Sequence, residues 1–174
     1  MSSIVRTPVD LTVAAQEMMA HFPKGQGAFL TTGKDKPNTM IISWGGIGFF
    51  WGSPVFETVV RFSRHSFPLL QEWEEFTISF PDFPLGDLAN AYQVSGSQSG
   101  RDIDKFAQLG LTALPGQNVS VPIIGECHLH LECKVVYKST VDQAILAPEQ
   151  LKLAYKEGDF HTMYFGKILS CYRT

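Results

Sequence analysis

The sequence lacks the features of a secreted or membrane-inserted chain. Three cysteines in 174 residues are an odd number with no short framework, which is typical of reduced thiols rather than a disulfide scaffold. The first residues contain no apolar core of a signal peptide, because Pro8 and Asp10 interrupt them. The longest apolar stretch, residues 41–60, is broken by glycines, Pro54 and Glu57, so it does not read as a membrane helix. We therefore expect a cytoplasmic protein without a membrane anchor.

An excess of positive charge is also missing. The chain has 14 basic and 17 acidic residues and a formal net charge of −3, which gives no general attraction to nucleic acid or to an acidic membrane. Any anion site must therefore be local. The length and a hydrophobic fraction of 44% suit one domain with a sizeable core, and we expect a single domain over residues 1–174.

Common nucleotide and hydrolase fingerprints are absent. Residues 27–34 contain two glycines and a lysine, but their spacing is not that of a P-loop and Asp35 follows the lysine. The glycines of residues 45–48 do not form a G-x-G-x-x-G pattern. No serine lies in a nucleophile elbow. P-loop, Rossmann and serine hydrolase sites are therefore not predicted.

The segment CHLHLEC at residues 127–133 resembles a zinc-binding pattern only superficially. In a strand, its cysteines face one side while His128, His130 and Glu132 face the other, so one tetrahedral centre cannot collect all five. The three polar residues would still allow a surface metal site. A plain solvent-exposed face is the favoured interpretation, and we predict no metal.

Apolar periodicity and turn signals predict alternating strands and helices. We expect Asp10 and Asp102 to cap helices, and residues 111–124 to be irregular. Strands that occur in pairs, with helices as insertions, favour an antiparallel barrel over a doubly wound sheet. The predicted helices are residues 9–22, 66–75, 85–93, 103–109 and 148–155, and the predicted strands are residues 26–32, 38–44, 55–62, 76–80, 126–136 and 162–172.

Residues 38–66 have the composition of a ligand site. An apolar strand runs into a stretch with four glycines between residues 45 and 52, which predicts an exposed loop rich in accessible backbone. A flat aromatic ring system fits there beside Trp44 and Trp51. Core packing is the alternative for both tryptophans.

The end of the same segment predicts a place for an anionic tail. Ser66 precedes Phe67 and Pro68, which suggests a helix with Ser66 as its cap. A helix N-terminus attracts phosphate, and arginines add charge-assisted hydrogen bonds. Alternatively, the arginines only decorate a solvated strand end. The candidate phosphate ligands are Arg61, Ser63, Arg64 and Ser66.

Several short motifs follow one another in a fixed order along nearly the whole chain. They are N-x-M at residues 38–40, SWG at 43–45, WG-x-P at 51–54, VR-x-x-R-x-S at 60–66, SGRDIDK at 99–105, LECKV at 131–135 and HTMYFGKI at 161–168. Together they resemble the flavin reductase-like family of FMN-binding split barrels, which includes flavoredoxins. The resemblance implies a mainly β, Greek-key antiparallel split β-barrel with peripheral helices, and FMN as cofactor.

The resemblance also assigns roles to residues. It places the flavin ring along Asn38, Thr39, Met40, Ile41 and Ser43, and the phosphate at residues 61–66. It suggests Lys105 as a further phosphate ligand and His161 as part of the pocket wall, although Lys105 is alternatively a surface lysine and His161 a structural residue. Relatives typically have threonine at the position of Ile41, so one hydroxyl near the ring is lost here.

The implied function is that of an FMN-binding oxidoreductase of the flavin reductase or flavoredoxin type. Electrons would pass from NADH, NADPH or a protein donor through FMN to a small-molecule or protein acceptor, and no catalytic side chain is needed. The resemblance implies a homodimer, which the aromatic stretch at residues 49–51 would suit. Two alternatives are an electron-transfer module without nicotinamide oxidation, and a barrel that has lost its flavin, which Ile41 makes conceivable.

Overall fold

A computed structural model describes residues 4–174. Its helices are Leu11–His21 (α1), Ser66–Trp73 (α2), Ala89–Ser97 (α3), Lys105–Leu109 (α4) and Pro148–Ala154 (α5), with 3₁₀ turns at Phe22–Lys24 and Gly86–Leu88. Its strands are Thr7–Pro8 (β1), Ala28–Thr32 (β2), Asn38–Ile42 (β3), Gly45–Phe50 (β4), Ser53–Arg61 (β5), Glu75–Phe80 (β6), Ala113–Leu114 (β7), Ile123–Ile124 (β8), Leu129–Thr140 (β9) and His161–Arg173 (β10).

The strands form one large antiparallel sheet that curls on itself. Seven of its eight strands follow the order β3-β2-β6-β9-β10-β5-β4, and β1 pairs with β10. β3 and β4 therefore lie at opposite ends of this path, yet only Ser43 and Trp44 separate them in sequence. Three Cα steps span at most about 11 Å, so the two edges must lie close together. The predicted mainly β split barrel with peripheral helices is confirmed, and its sheet is not closed.

The seam between the two edges is the feature that positions the site. At the seam, only Ser43 and Trp44 connect β3 to β4, and neither residue is paired with a described strand. The β5 end at Arg61 and the β10 start at His161 are directly paired. The seam therefore collects the ends of several strands.

The prediction of an exposed loop at residues 45–52 was wrong. Residues Gly45–Phe50 form β4, which pairs with β5 over its whole length, and only Trp51 and Gly52 make the turn. Glycine is needed at position 45 because a Cβ atom there would lie 2.6 Å from the Glu57 carbonyl oxygen. The glycines thus allow close backbone approach within a strand pair.

The main core fills the barrel interior, and a smaller cluster lies beneath α3 and α4. The large fully buried side chains of the barrel include Phe56, Phe76 and Tyr164. The smaller cluster is built on Phe29 and Ala91. Helix α1 packs on the barrel through Ala14 and Met18, and the Asp10 carboxylate caps it by accepting from the Thr12 amide, as predicted.

The predicted solvent-exposed face of β9 was also wrong. His130 and Glu132 are fully buried, like the opposite face of the strand. The segment before β8 covers this face, because the Glu132 carboxylate accepts hydrogen bonds from the backbone amides of Gln117 and Asn118. A chain segment without periodicity provides this cover, so strand alternation alone did not reveal it.

Two smaller predictions also need correction. Asp104, and not Asp102, caps α4, because its carboxylate accepts from the Ala107 amide. The region predicted to be irregular, residues 111–124, contains the paired strands β7 and β8. Within residues 4–174 no helix is long and apolar enough to cross a membrane.

Candidate functional site

A cavity of about 230 Å³ opens at the seam of the barrel, and we call it the seam cavity. Residues 40–44 form one wall, and Val59, Arg61, Arg64 and His161 form the rest. Met40 and Ile42 also contact the main core, whereas Ile41 packs against the cluster beneath α3. Because β3 lies at the edge of the sheet, its end can offer unpaired amides and carbonyls to a flat ligand in the seam cavity.

A second cavity of about 130 Å³ adjoins the first and shares Met40 and Arg64 with it. We call it the cationic cavity because Arg64, Arg101 and Lys105 all line it. Its other wall residues include Asn38, Ser63, His65, Ser66, Ser95, Ser97, Ser99 and Gly100. The two cavities together make an elongated site with a polar, positively charged end.

Lys105 is a buried lysine, only 4% exposed. Its ammonium donates to the carbonyl oxygens of Thr39 at 2.8 Å and Ser95 at 3.0 Å. Burial, with a smaller contribution from the nearby Arg64, lowers the pKa of Lys105 to about 8. An ammonium has three donors, so one proton remains for a further acceptor. The surface-lysine alternative is therefore wrong.

Ser95 is a buried hydroxyl without a partner. It is 2% exposed, lines the cationic cavity, and its Oγ forms no hydrogen bond within the described residues. Leaving such a group unpaired costs about 1–3 kcal/mol. A ligand in the cavity could satisfy it. Nothing in the sequence pattern singled out Ser95, since its role depends on how α3 lies beside β3.

Close contacts hold Asn38, Ser66 and Gly100 together near the N-terminal end of α2. The Asn38 amide donates to the Ser66 hydroxyl at 2.8 Å. Ser66 lies in the first turn of α2 and does not cap it, because His65 occupies the cap position and makes no capping bond. Gly100 packs so closely that a Cβ atom would lie 2.0 Å from Asn38 Oδ1. The helix-capping prediction for Ser66 was therefore wrong, although Ser66 does line the cationic cavity.

The positive charge of this end is not neutralised by carboxylates. Among residues 4–174, no ion pair involves Arg61, Arg64, Arg101 or Lys105. The same cations act on a neighbouring imidazole, since burial followed by Arg101 and Lys105 lowers the pKa of His65. A chain with a net charge of −3 thus concentrates unpaired cations at one cavity, which favours an anion.

Two predicted phosphate ligands have other partners in the structure. The Arg61 guanidinium donates to the carbonyl oxygens of Ala154 and Asp159 and lies over the Tyr155 ring. The Ser63 hydroxyl donates to the Asp159 carboxylate at 2.6 Å. These contacts fasten the connection between β9 and β10 to the end of β5. Arg64 makes no such bond within residues 4–174, and it lines both cavities.

One wall of the seam cavity is aromatic and is formed by Trp44 and His161. His161 packs at 5.3 Å from Trp44, ring centre to ring centre, and its Nδ1 lies 2.8 Å from the Tyr155 hydroxyl. Burial, and then the Arg61 charge, lowers the pKa of His161 to about 4, so the ring is neutral at pH 7. Trp44 is 52% exposed and lines the cavity, whereas Trp51 contacts Phe50, Tyr137 and Phe165 away from it.

The structure brings most of the sequence-predicted site residues to the two cavities. Those lining the seam cavity are Met40, Ile41, Ser43, Trp44, Arg61, Arg64 and His161, and those lining the cationic cavity are Asn38, Met40, Ser63, Arg64, Ser66 and Lys105. Thr39 lines neither, although its carbonyl holds Lys105. Sequence reasoning missed Ser95 and Arg101, although Arg101 lies within the SGRDIDK motif.

Known proteins resemble this chain in sequence and in fold. An uncharacterized protein of Archaeoglobus fulgidus is 30% identical over 134 residues, covering 74% of this chain and 73% of that protein. The flavoredoxin of Desulfovibrio vulgaris (Miyazaki F) superposes with a TM-score of 0.66 at 22% identity, covering 100% of this chain and 73% of the other. The NADH:FAD oxidoreductase SgcE6 of Streptomyces globisporus gives 0.62 at 18%, with 85% and 75% covered.

The structural likeness to these two proteins shows the fold. The sequence match is more specific, because the flavin reductase like domain matches residues 19–173, which include every strand of the curled sheet except β1 and both cavities at its seam. This chain therefore belongs to the flavin reductase-like family.

Proposed function

We propose that this chain binds FMN across the two cavities and acts as an oxidoreductase of the flavin reductase or flavoredoxin type. The single observation that carries this proposal is the cationic cavity, where buried Lys105 and the unpartnered Ser95 hydroxyl meet at the end of a backbone-lined cleft. A phosphate there would accept from both groups. The family itself and a solved structure of similar fold that is described as an FMN-binding protein of Thermus thermophilus support the choice of ligand.

In this proposal each part of the site has a binding role. Lys105 and Ser95 donate hydrogen bonds to the phosphate. Arg64 and Arg101 add charge-assisted hydrogen bonds to it. The ring lies along residues 40–44, between the β3 end and the wall formed by Trp44 and His161. Through their contacts with Ala154 and Asp159, Arg61 and Ser63 hold the connection before β10 in place beside this wall. Bound FMN would supply hydride acceptance and onward electron transfer.

Neutral His161 suits a polar contact with the ring better than a charged one. Its Nδ1 is hydrogen-bonded to the Tyr155 hydroxyl, and the low pKa of His161 keeps the imidazole uncharged. Because Tyr155 fixes the ring of His161, Nε2 is left for the cofactor or for an electron acceptor. The side chain of Ile41 packs against the cluster beneath α3, so isoleucine in place of threonine breaks no hydrogen bond that the structure contains.

We further propose that the chain is a cytoplasmic homodimer. Support for the dimer comes from an aromatic surface of Phe49, Phe50, Trp51 and Tyr137, in which Phe49 is 72% and Trp51 66% exposed, beside the half-buried Phe165. Exposed aromatic clusters favour protein interfaces. Trp51→Glu should shift the protein to monomer in sedimentation experiments, whereas Leu153→Glu on exposed α5 should not. A wild-type protein that sediments as a monomer would rule the dimer out.

The function is tested first by the spectrum of the purified protein. We expect a flavin spectrum that bleaches under reductant, and NADH or NADPH consumption when FMN is added. Bleaching by dithionite without nicotinamide consumption would support the electron-transfer alternative. Absence of any flavin binding would leave only the barrel that has lost its ligand.

A further inference from the structure

Tyr155, the residue directly after α5, is held through both its backbone and its ring. Its amide donates to the Leu151 carbonyl at 3.0 Å, and its carbonyl accepts from the Gly158 amide at 3.0 Å. Its ring stacks on Phe160 with 4.9 Å between the ring centres, and the Arg61 guanidinium lies 5.4 Å from the centre of the Tyr155 ring. The protein itself therefore fixes where the Tyr155 hydroxyl lies.

The direction of the hydrogen bond between Tyr155 and His161 follows from the partners that each group has. The hydroxyl lies 2.8 Å from His161 Nδ1, which is its only hydrogen-bond partner within residues 4–174. Burial raises the pKa of Tyr155 from its ordinary value of 10.0, so the phenol keeps its proton at pH 7. If Nδ1 carried a proton and donated it, the phenol proton would have no acceptor in this part of the chain. The geometry therefore favours donation from Tyr155 to an unprotonated Nδ1.

An unprotonated Nδ1 determines what His161 offers to the seam cavity. Burial and then the Arg61 charge lower the pKa of His161 to about 4, and a neutral imidazole has a single N–H. That proton must then lie on Nε2, which has no hydrogen-bond partner in the described chain and remains accessible. Trp44 packs against the imidazole at 5.3 Å and restrains its plane. His161 therefore supplies an N–H donor in the aromatic wall of the seam cavity.

We propose that Tyr155 is a positioning residue whose hydroxyl keeps the proton of His161 on Nε2, so that the seam cavity offers a hydrogen-bond donor to an acceptor atom of its ligand. This inference rests on the proposed flavin site, in which the acceptor is a carbonyl oxygen or an unprotonated nitrogen of the flavin ring. Without the hydroxyl, the proton can move to Nδ1, and Nε2 becomes an acceptor that disfavours those atoms. Tyr155 lies in the connection between β9 and β10, so this connection sets the polarity of the wall.

Nitrogen NMR of the imidazoles in the flavin-free full chain tests the tautomer directly. The chain has five histidines, and loss of signals in His161→Ala identifies those of His161. At pH 7 we expect a protonated Nε2 and a bare Nδ1 in the wild type, and a mixture of both tautomers in Tyr155→Phe. Tyr137→Phe, which removes a hydroxyl from the exposed aromatic surface, is the matched control and should leave the His161 signals unchanged.

Flavin titrations test whether the donor acts on the ligand. Tyr155→Phe should weaken the binding of FMN and of riboflavin alike, about threefold to tenfold, which corresponds to the net contribution of one hydrogen bond. In the His161→Ala background the same substitution should have no further effect, because Tyr155 acts through His161. An equal loss in that background would show that Tyr155 only supports the fold, and would overturn the positioning role.

The NMR and the titrations can fail separately. The tautomer is measured without flavin, so a proton on Nδ1 in the wild type, or signals that Tyr155→Phe leaves unchanged, overturns the role of Tyr155 while the flavin site stands. Failure of the wild type to bind either flavin overturns the proposed function, and with it the flavin as the ligand of this donor, whichever tautomer is found.

Discussion

The ammonium nitrogen of Lys105 lies 2.8 Å from the carbonyl oxygen of Thr39, in a position where only 4% of the residue is exposed. Burying a cation against neutral carbonyls is costly, and no carboxylate within residues 4–174 pairs with this lysine. Such an arrangement is explained if the chain keeps the charge for a ligand.

Replacing the lysine tests its role in binding. Lys105→Met should weaken FMN binding by about 1.5–3 kcal/mol, the range for a hydrogen bond to a charged group, and should leave riboflavin binding nearly unchanged. Fluorescence quenching of the flavin measures both affinities. Lys34→Met, at an exposed lysine without side-chain partners in the described chain, is the control. Equal losses for FMN and riboflavin would show that Lys105 acts on the fold and not on the phosphate.

The affinity for FMN should also depend on pH through the same group. The pKa of Lys105 is lowered to about 8 in the free protein by burial, and a bound dianion would raise it. Affinity should therefore be full below pH 8 and fall up to about tenfold per pH unit above it. Titrations between pH 7 and pH 9.5 measure this slope. In Lys105→Met the slope should vanish, and a slope that persists there would assign it to another group.

The two arginines of the VRFSR segment should behave differently. Arg64→Ala should reduce FMN affinity while sparing riboflavin, because Arg64 lines the cationic cavity and has no protein partner in residues 4–174. Arg61→Ala should weaken both ligands alike and increase proteolysis of the connection between β9 and β10, since it removes the bonds to Ala154 and Asp159. Titration of each variant with FMN and with riboflavin, together with limited proteolysis, separates the two roles. If Arg61→Ala affects FMN alone, Arg61 is a phosphate ligand as the sequence suggested.

The sequence predicted the fold and most of the residues that line the two cavities, and its failures have a common cause. Motif order and strand periodicity were sufficient for the split barrel and for the residues at the β3 end. No motif or period in the sequence indicates that α3 places Ser95 beside Lys105, or that Arg61 bonds to the carbonyls of a segment about ninety residues away. These relationships depend on which segments meet in three dimensions, and no local pattern specifies that.

The buried face of β9 illustrates the same point. A period of two predicts two faces, but it does not say whether a second layer covers the polar one. Here the segment containing Gln117 and Asn118 does so, by donating to Glu132. The glycine-rich β4 is a related case, since glycine is a loop signal unless a close backbone approach requires it, as at Gly45.

Stability should fall in acid because of His130, which lies on that covered face. The imidazole is fully buried and burial lowers its pKa from 6.5 to about 4, so between those values the unfolded chain binds a proton that the folded chain does not. The free energy of unfolding should therefore decrease as pH falls from 6.5 to 4, by up to about 1.4 kcal/mol per unit. Urea unfolding at several pH values measures this decrease. A His130→Gln variant should show a shallower slope, and an unchanged slope would assign the effect to other groups.

A glycine substitution tests the geometry of the cationic cavity wall at Gly100. In Gly100→Ala the new Cβ atom would lie 2.0 Å from Asn38 Oδ1, so the amide that holds Ser66 must move. We expect reduced FMN affinity and a lower melting temperature. Gly46→Ala is the control, since a Cβ atom there would meet nothing within 4 Å. Wild-type FMN affinity in Gly100→Ala would show that this wall can relax without loss of binding.

In the proposed function, the cationic cavity holds the phosphate of a flavin. Calorimetric titration of the wild-type protein at pH 7 with FMN and with riboflavin tests it most directly, because the two ligands differ only in that phosphate. We predict that FMN binds at least tenfold more tightly than riboflavin, as expected when about 1.4 kcal/mol or more comes from the phosphate. Equal affinities, or no binding of FMN, would contradict the account.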